Sequence, residues 1–329
     1  MMAHSNTFAA MARPINFLRF LTLLGVFVVV GCTTAVDVEL PDVPPLGVME
    51  ASVRSGEPPL VLLTTTQGYF DPVDASSLAS LFVGNAQVTF TVDGEDFDLP
   101  VICSSDLPPE QLAAAAQFLG VPEATLASTD LCLYTGLTVP QTYGVVGSQY
   151  EVRASWTADD VQFELASTTV MRAMPNLDSA WFEIPATSTN DSLGLIWTAF
   201  TDPLGMGDAY RWSSKREGKD GDFFYPLGSV FDDAFLDGQS FPFLTFRSPQ
   251  PGREEVPGEE GFWKTEDTVV VRLESIEHRA FEVIRDFETA VANQGNPFAL
   301  PTSASTNVEG GLGWFVAYAV ATDTVICAN

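Results

Sequence analysis

The sequence predicts a mainly β protein: an N-terminal immunoglobulin- or transthyretin-like β-sandwich with a helical insertion, followed by a second β-rich domain with one packed helix. Three observations predict it. Apolar residues alternate with period two through Val88, Phe90 and Val92, through Tyr150, Val152, Ala154 and Trp156, and through Val161, Phe163 and Leu165. Such spacing sends successive side chains to opposite faces of a strand, so that one face is buried and the other wet. Gly, Pro and Asp clusters separate these runs as turns. A period near 3.6 appears in the stretch around residues 276–294, where Ile276, Ala280, Val283, Ile284, Phe287 and Val291 share one face.

Residues 1–31 carry Arg13 and Arg19 and no acid, and an apolar run from Phe20 to Val30 follows. A positive start, an apolar stretch of about a dozen residues and small residues at its end describe a secretory signal; the run is shorter than the roughly 20 residues that span a bilayer. Met11 would also open a full signal. Val29-Val30-Gly31-Cys32 resembles the lipobox, which predicts lipidation of Cys32 and anchoring in a membrane by acyl chains. Thr33 stands where an inner-membrane retention aspartate would be, so the expected location is the cell outer membrane, periplasmic or surface-exposed. Residues 32–46 hold Pro41, Pro44 and Pro45 among acids and read as an extended tether.

Residues 47–173 are the predicted sandwich, of six to eight strands. Trp156 to Val161 reads as a hairpin. Within the sandwich, Pro108 and Pro109 suit a first helical turn, Glu110 complements the helix N-terminus, residues 112–119 are alanine-rich, and Gly120 suits the stop. Cys103 precedes this insertion and Cys132 follows it. In an oxidising compartment they read as a staple across its base, leaving Cys327 unpaired; the other pairings with Cys327, and free thiols, are the alternatives. Met174-Pro175-Asn176 reads as a junction, making residues 174–329 the second domain. Strand signals resume at 180–184, 193–200 and at Val269, Val271 and Leu273. Ser275 is placed to cap the following helix, which ends at Gly295. The stretch 312–320 is apolar on both faces, as a central strand would be.

The 329 residues hold 15 Lys and Arg against 43 Asp and Glu, a net charge of -28 that becomes -30 once Arg13 and Arg19 leave with the signal. A chain this acidic is not built to track phosphates, so nucleic acid is excluded as a partner. Of the two histidines, His4 lies in the signal, which leaves His278 and removes multi-histidine metal sites.

Several stretches together resemble a family of Bacteroidota-type outer-membrane lipoproteins known as a domain of unknown function. They are Ser55-Gly-Glu-Pro-Pro-Leu-Val61, Gly68-Tyr-Phe-Asp-Pro72, Phe200-Thr-Asp-Pro203, Phe231-Asp-Asp-Ala-Phe-Leu-Asp-Gly-Gln-Ser-Phe241, and Asn296-Pro-Phe298 leading to Asn307-Val-Glu-Gly-Gly-Leu-Gly313. The cysteine-flanked insertion and Gly207-Asp-Ala-Tyr-Arg211 depart from the family pattern. The resemblance implies a lipoprotein encoded near, and assisting, a TonB-dependent receptor. It brings no catalytic residues.

The residues themselves offer little chemistry. His278 has no serine elbow to serve, and a solvated helix position accounts for it. Asp159 with Asp160 and Asp232 with Asp233 are neighbours in sequence, whereas glycoside hydrolysis needs carboxyl groups about 5–10 Å apart across a cleft. Asp93-Gly-Glu-Asp-Phe-Asp98 and Lys219-Asp-Gly-Asp222 gather hard oxygen ligands of the kind calcium takes, but in no EF-hand spacing. No other cofactor or metal is expected. Tyr210, Trp212, Lys215, Arg216, Phe224 and Tyr225 gather aromatics and two of the three lysines within one segment, counting Lys219 in its turn. They are the candidate ligand or partner surface; the competing account is a hairpin whose rings fill the core. The expected function is a non-catalytic, lipid-anchored accessory or ligand-binding protein partnering a TonB-dependent receptor. The alternatives are a surface hydrolase of glycan or peptide and a structural adhesion module.

Overall fold

The computed structural model describes residues 44–68, 79–119, 123–249, 256–295 and 305–328. The predicted signal, Cys32 and most of the tether lie outside the described residues, as do Gly120, residues 69–72 and Asn296-Pro-Phe298. None of the described helices is long and apolar enough to cross a membrane.

The chain is mainly β, with several sheets and a few helices. In chain order the strands are β1 (Gly47–Arg54), β2 (Leu60–Thr65), β3 (Gln87–Val92), β4 (Glu95–Asp98) and β5 (Val101–Cys103). Helices α1 (Pro109–Leu119) and α2 (Glu123–Ser128) come next, then β6 (Cys132–Thr135), β7 (Gln149–Ala158) and β8 (Val161–Val170). The remaining elements are β9 (Leu177–Glu183), β10 (Leu193–Thr201), β11 (Ala209–Arg216), β12 (Val230–Asp232), β13 (Ser240–Thr245), β14 (Trp263–Lys264), β15 (Thr268–Ile276), α3 (His278–Ala292) and β16 (Leu312–Ile326).

Among the described residues the largest sheet has the order β12-β11-β15-β16-β1-β2-β6-β5. Its strands are antiparallel except at the centre, where β1 runs parallel to β16 with Val48 opposite Leu312 and Arg54 opposite Tyr318. A second sheet, β4-β3-β7-β8, lays Val88, Phe90, Tyr150, Val152 and Leu165 against Met49, Val61, Leu63, Phe315 and Ala317 of the large sheet in one core. The third gathers β9, β13 and β14 around β10, and covers the same side of the large sheet further along, at Val269, Val271 and Val325. Helix α3 lies on the opposite side, with Ala280, Phe281 and Ile284 against Ile276, Val316 and Tyr318.

Residues 47–173 supply β1 to β8, but β1, β2, β5 and β6 join the large sheet beside strands from beyond residue 173. Residues 44–329 form one compact unit, and the expected junction at 174 falls inside it. The hairpin expected at 156–161 is the β7–β8 turn, with Asp159 and Asp160 both at positive φ (49° and 62°) in a two-residue loop. That geometry matches the right-handed strand twist.

Two local expectations are corrected. Ser275 does not cap α3; β15 continues through Ser275 and Ile276 because both still alternate in the ladder with β11, and Glu277 takes the cap position. The insertion contains the expected α1 but also the short α2. Cys103 and Cys132 are bonded, on directly opposed positions of β5 and β6, and Cys327 is free and buried.

The glycine-rich closing motif is explained by crowding at the start of β16. Gly313 has φ +109°, and a Cβ there would lie 2.0 Å from the Met49 carbonyl oxygen; at Gly310, φ +82°, it would lie 2.1 Å from that of Glu164. Only glycine tolerates both the angle and the approach. Asn307 fixes the same junction by donating through Nδ2 to Phe315 O (2.8 Å) and accepting from Phe315 N (2.9 Å).

Candidate functional site

Strand alternation builds a charged face on the helix side of the large sheet. On β11, Tyr210 and Trp212 point into the aromatic core with Phe200 and Leu273, so Arg211 and Ser213, at the alternate positions, face the other way. Register then places Arg211 opposite Glu274 and Ser213 opposite Arg272 on β15. The β1–β16 pair adds Arg54 and Tyr318 to the same face. Tyr225, from the segment after β11, reaches in above them.

The hydroxyl of Tyr225 accepts from Arg54 Nη2 (3.0 Å) and Arg272 Nη2 (2.9 Å) and donates to Glu274 Oε2 (2.6 Å). Glu274 is fully buried and also accepts from Arg54 Nε at 2.9 Å. The Arg211 guanidinium stacks 3.6 Å from the Tyr225 ring centroid and donates to Tyr318 Oη (3.1 Å). Arg272 lies over Phe223 at 4.0 Å and donates through Nε to Ser213 Oγ. From α3, Glu288 accepts from the backbone nitrogens of Gly228 and Ser229 and from the Ser229 hydroxyl. Three guanidinium groups thus face two carboxylates, a local positive excess in a chain of net charge -28. Burial, and then the Glu274 carboxylate, push the Tyr225 phenol up to about 12, so at neutral pH it is a hydrogen-bond bridge and no base.

A second buried group joins the segments after β10 and β12. Carboxylate oxygens of Asp202, Asp208 and Asp233 lie within 4.8 Å of one another. Asp202 accepts from the Tyr210 hydroxyl and from Gly238 N (3.1 Å); Asp233 accepts from Gly207 N (2.7 Å) and Asp208 N (3.0 Å). Arg172 Nη1 reaches Asp208 at 3.2 Å. Burial raises the Asp208 pKa above the usual carboxylate value, and the neighbouring Asp202 and Asp233 add to it. These three side chains are hard oxygen donors of the kind that hold calcium, although backbone amides and Tyr210 already occupy Asp202 and Asp233. The loops that carry them also present Leu204 and Phe235, each 90% exposed, and Met206. Gly205 N donates to Asp237 Oδ1 at 2.6 Å, tying the two loops together.

The residues singled out from the sequence separate accordingly. Tyr210 and Trp212 are buried in the aromatic core, which corrects their assignment to a surface: they lie on the β11 face covered by the third sheet. Tyr225 belongs to the arginine face. Lys215 lies 4.7 Å over Phe223, Arg216 pairs with Asp220 at 2.7 Å, and Phe224 makes a backbone bridge to Ser214. Of the acids considered for calcium, Asp93 accepts from Gln149 N, Asp96 from Thr91 and Arg153, and Asp220 from Arg216. His278 is exposed beside Phe281. Asp159 and Asp160 form a hairpin tip, and Asp232 closes β12 beside buried Asp233. Sequence reasoning missed Arg54, Arg211, Arg272, Glu274 and Glu288. For the four strand residues the signal present was their position in alternating strands; Glu288 lies on helix α3 and gave no such signal.

Residues 33–324 match the family described as "Domain of unknown function (DUF4249)", and the chain belongs to it. No curated protein matches the sequence. Among solved structures the chain is similar to the crystal structure of Parabacteroides merdae beta-glucuronidase (GUS), at 10% identity and a TM-score of 0.22. That match covers 71% of this chain and 24% of the other, so the chain spans about a quarter of that protein's length.

Proposed function

We propose that this DUF4249 protein is a lipid-anchored, non-catalytic accessory or ligand-binding protein of the bacterial outer membrane, and that it docks against a TonB-dependent receptor. The observation that carries the reading is the pair of linked loops that hold Leu204, Met206 and Phe235 out in solvent. Large apolar side chains gathered on protruding loops favour a protein partner over bare solvation. The Gly31-Cys32 lipobox supplies the anchor at Cys32, and the Cys103–Cys132 bond suits an oxidising, extracytoplasmic compartment. Residues 47–173, with β3, β4, β7 and β8 over the first strands of the large sheet, are read as the immunoglobulin- or transthyretin-like part. The buried charged groups around Glu274 and Glu288 are taken up by one another and by backbone amides, which supports a binding role there over acid–base chemistry.

Two measurements test this. Labelled palmitate is expected to enter the wild-type chain and not Cys32→Ser. Co-purification from native membranes is expected to recover a receptor with the wild type and to lose most of it with Leu204→Ser combined with Phe235→Ser, two exposed positions where the fold has little at stake. Failure to recover any receptor with the wild type overturns the reading.

A further inference from the structure

The charged network on the helix side of the large sheet shows solvent mainly its cations. The side chains of Arg54 and Arg211 each keep 17% of their surface in solvent and Arg272 keeps 10%, whereas Glu274 keeps none and Glu288 9%. The guanidinium donors are also not used up. Arg54 and Arg272 form hydrogen bonds through Nε and Nη2, and Arg211 through Nε and Nη1. Arg54 Nη1, Arg211 Nη2 and Arg272 Nη1 form none with any described residue, and Arg211 Nη2 lies 3.7 Å from Glu288 Oε1. None of these three nitrogens is sealed from solvent.

Two of these arginines are fixed by the same pair of tyrosines in reciprocal fashion. Arg54 donates to the Tyr225 hydroxyl and lies 4.7 Å over the Tyr318 ring; Arg211 stacks on the Tyr225 ring and donates to the Tyr318 hydroxyl. Guanidinium groups held in this way lose little ordering free energy when an anion joins them. Lys215, on the same face of β11 as Arg211 and Ser213, adds a further cation 4.7 Å over Phe223. Three largely buried guanidinium groups beside two carboxylates leave an excess positive charge, and burying a charge without a partner is costly. The missing partner has to be an anion from outside the network.

We infer that this face binds the carboxylate of a small monoanionic ligand, received by the unused donors of Arg54, Arg211 and Arg272. The planar guanidinium fork matches the two oxygens of a carboxylate. The rest of the chain selects the ligand's charge: repulsion from a net charge of -28 grows with every negative charge the ligand carries, so a monoanion is favoured over a phosphate dianion. The inference rests on the binding role proposed for this network and not on the exposed loops. Loss of receptor co-purification leaves it standing, and failure of the anion test leaves the lipid anchor and the loops untouched.

Titration of the full chain in mild detergent, at pH 7 and low chloride, tests it by fluorine NMR with three small probes. Fluoroacetate is expected to bind saturably at one site. Its neutral isostere fluoroacetamide should bind about 10-fold more weakly or worse, and dianionic monofluorophosphate more weakly than fluoroacetate. Arg54→Gln and Arg211→Gln are each expected to weaken fluoroacetate by about 10-fold, the loss of one charged hydrogen-bond donor group. Arg211→Lys keeps the charge and loses the fork; it should weaken binding by about 3-fold, and it stands in should the glutamine variants not fold. Arg153→Gln removes an exposed arginine from the other sheet and is expected to stay within about 2-fold of wild type. Absence of saturable binding by the wild type, equal binding of fluoroacetamide, or unchanged binding in the Arg54 and Arg211 variants overturns the site. Tighter binding of monofluorophosphate than of fluoroacetate overturns the monoanion class.

Discussion

On the helix side of the large sheet three largely buried guanidinium groups lie beside Glu274 and Glu288, whereas the loops after β10 and β12 gather buried Asp202 and Asp233 and half-buried Asp208 with only Arg172 for charged company. Both groups use strand and loop backbone to hold charges away from water. They differ in what repays the loss of hydration. Around Glu274, opposite charges sit at contact distance and the Tyr225 hydroxyl spends its donor and acceptor capacity on three charged neighbours. Around Asp208, the nearest buried charges have the same sign and the Arg172 side chain is 46% exposed. Compensated burial leaves a rigid, neutral-pH structural pillar; uncompensated burial leaves a carboxylate whose proton is held more tightly.

The contrast is broken most severely by Glu274→Gln. Removing this charge leaves Arg54, Arg211 and Arg272 around a neutral amide, and loss of one member of a buried ion group costs about 3–5 kcal/mol. The urea midpoint should fall accordingly, and an unchanged midpoint would mean that the arginines are solvated in solution. Tyr225→Phe is the next largest change. It strips three hydrogen bonds to charged groups from one oxygen while keeping the ring beneath Arg211, for an expected loss of about 1–3 kcal/mol. Because the folded phenol titrates at about 12, above its ordinary value of 10.0, the wild-type advantage is complete below pH 10 and shrinks as pH rises through 12. Parallel melts of the two proteins from pH 7 upward would show whether the gap closes in that window.

Asp208→Asn acts in the opposite direction and is the smallest of the three. A carboxyl whose folded pKa is raised favours the protonated fold, so its contribution is fully present below the unfolded value near 3.8 and is lost as pH rises through the higher folded value. At pH 7 the ionised Asp208 is therefore a cost, and the asparagine should stabilise the protein by up to about 1 kcal/mol. That gain should vanish on acidification below about pH 4. A variant less stable than wild type at pH 7 would show that the Arg172 contact outweighs the neighbouring carboxylates.

Much of the fold was legible because alternation is local. Val88, Phe90 and Val92, the run from Tyr150 to Trp156, and Val269, Val271 and Leu273 all lie in the strands they announced. The same local rule hid the charged face. Tyr210, Arg211 and Trp212 are adjacent in sequence, so they looked like one surface, while a strand sends the two rings to the core and the arginine to the opposite side. Nothing local says that Arg54 will meet Glu274, 220 residues away. The helix after β15 was legible in its stripe but not in its start, because Ser275 and Ile276 satisfy a strand ladder as well as a helix cap. Short β12 and β14 owe their strand character to the neighbours they pair with.

The parallel pairing of β1 with β16 also constrains the order in which this chain can acquire its structure. The two strands lie mid-sheet, and their junction is fastened by contacts such as Val320 N to Ser55 Oγ, which span 265 residues. Loop closure over that distance has to precede the contacts that reward it, which makes such topologies slow to fold. Until β16 has emerged, β1 and β15 have no neighbour between them, and the sheet exists only as two open halves with unpaired edges.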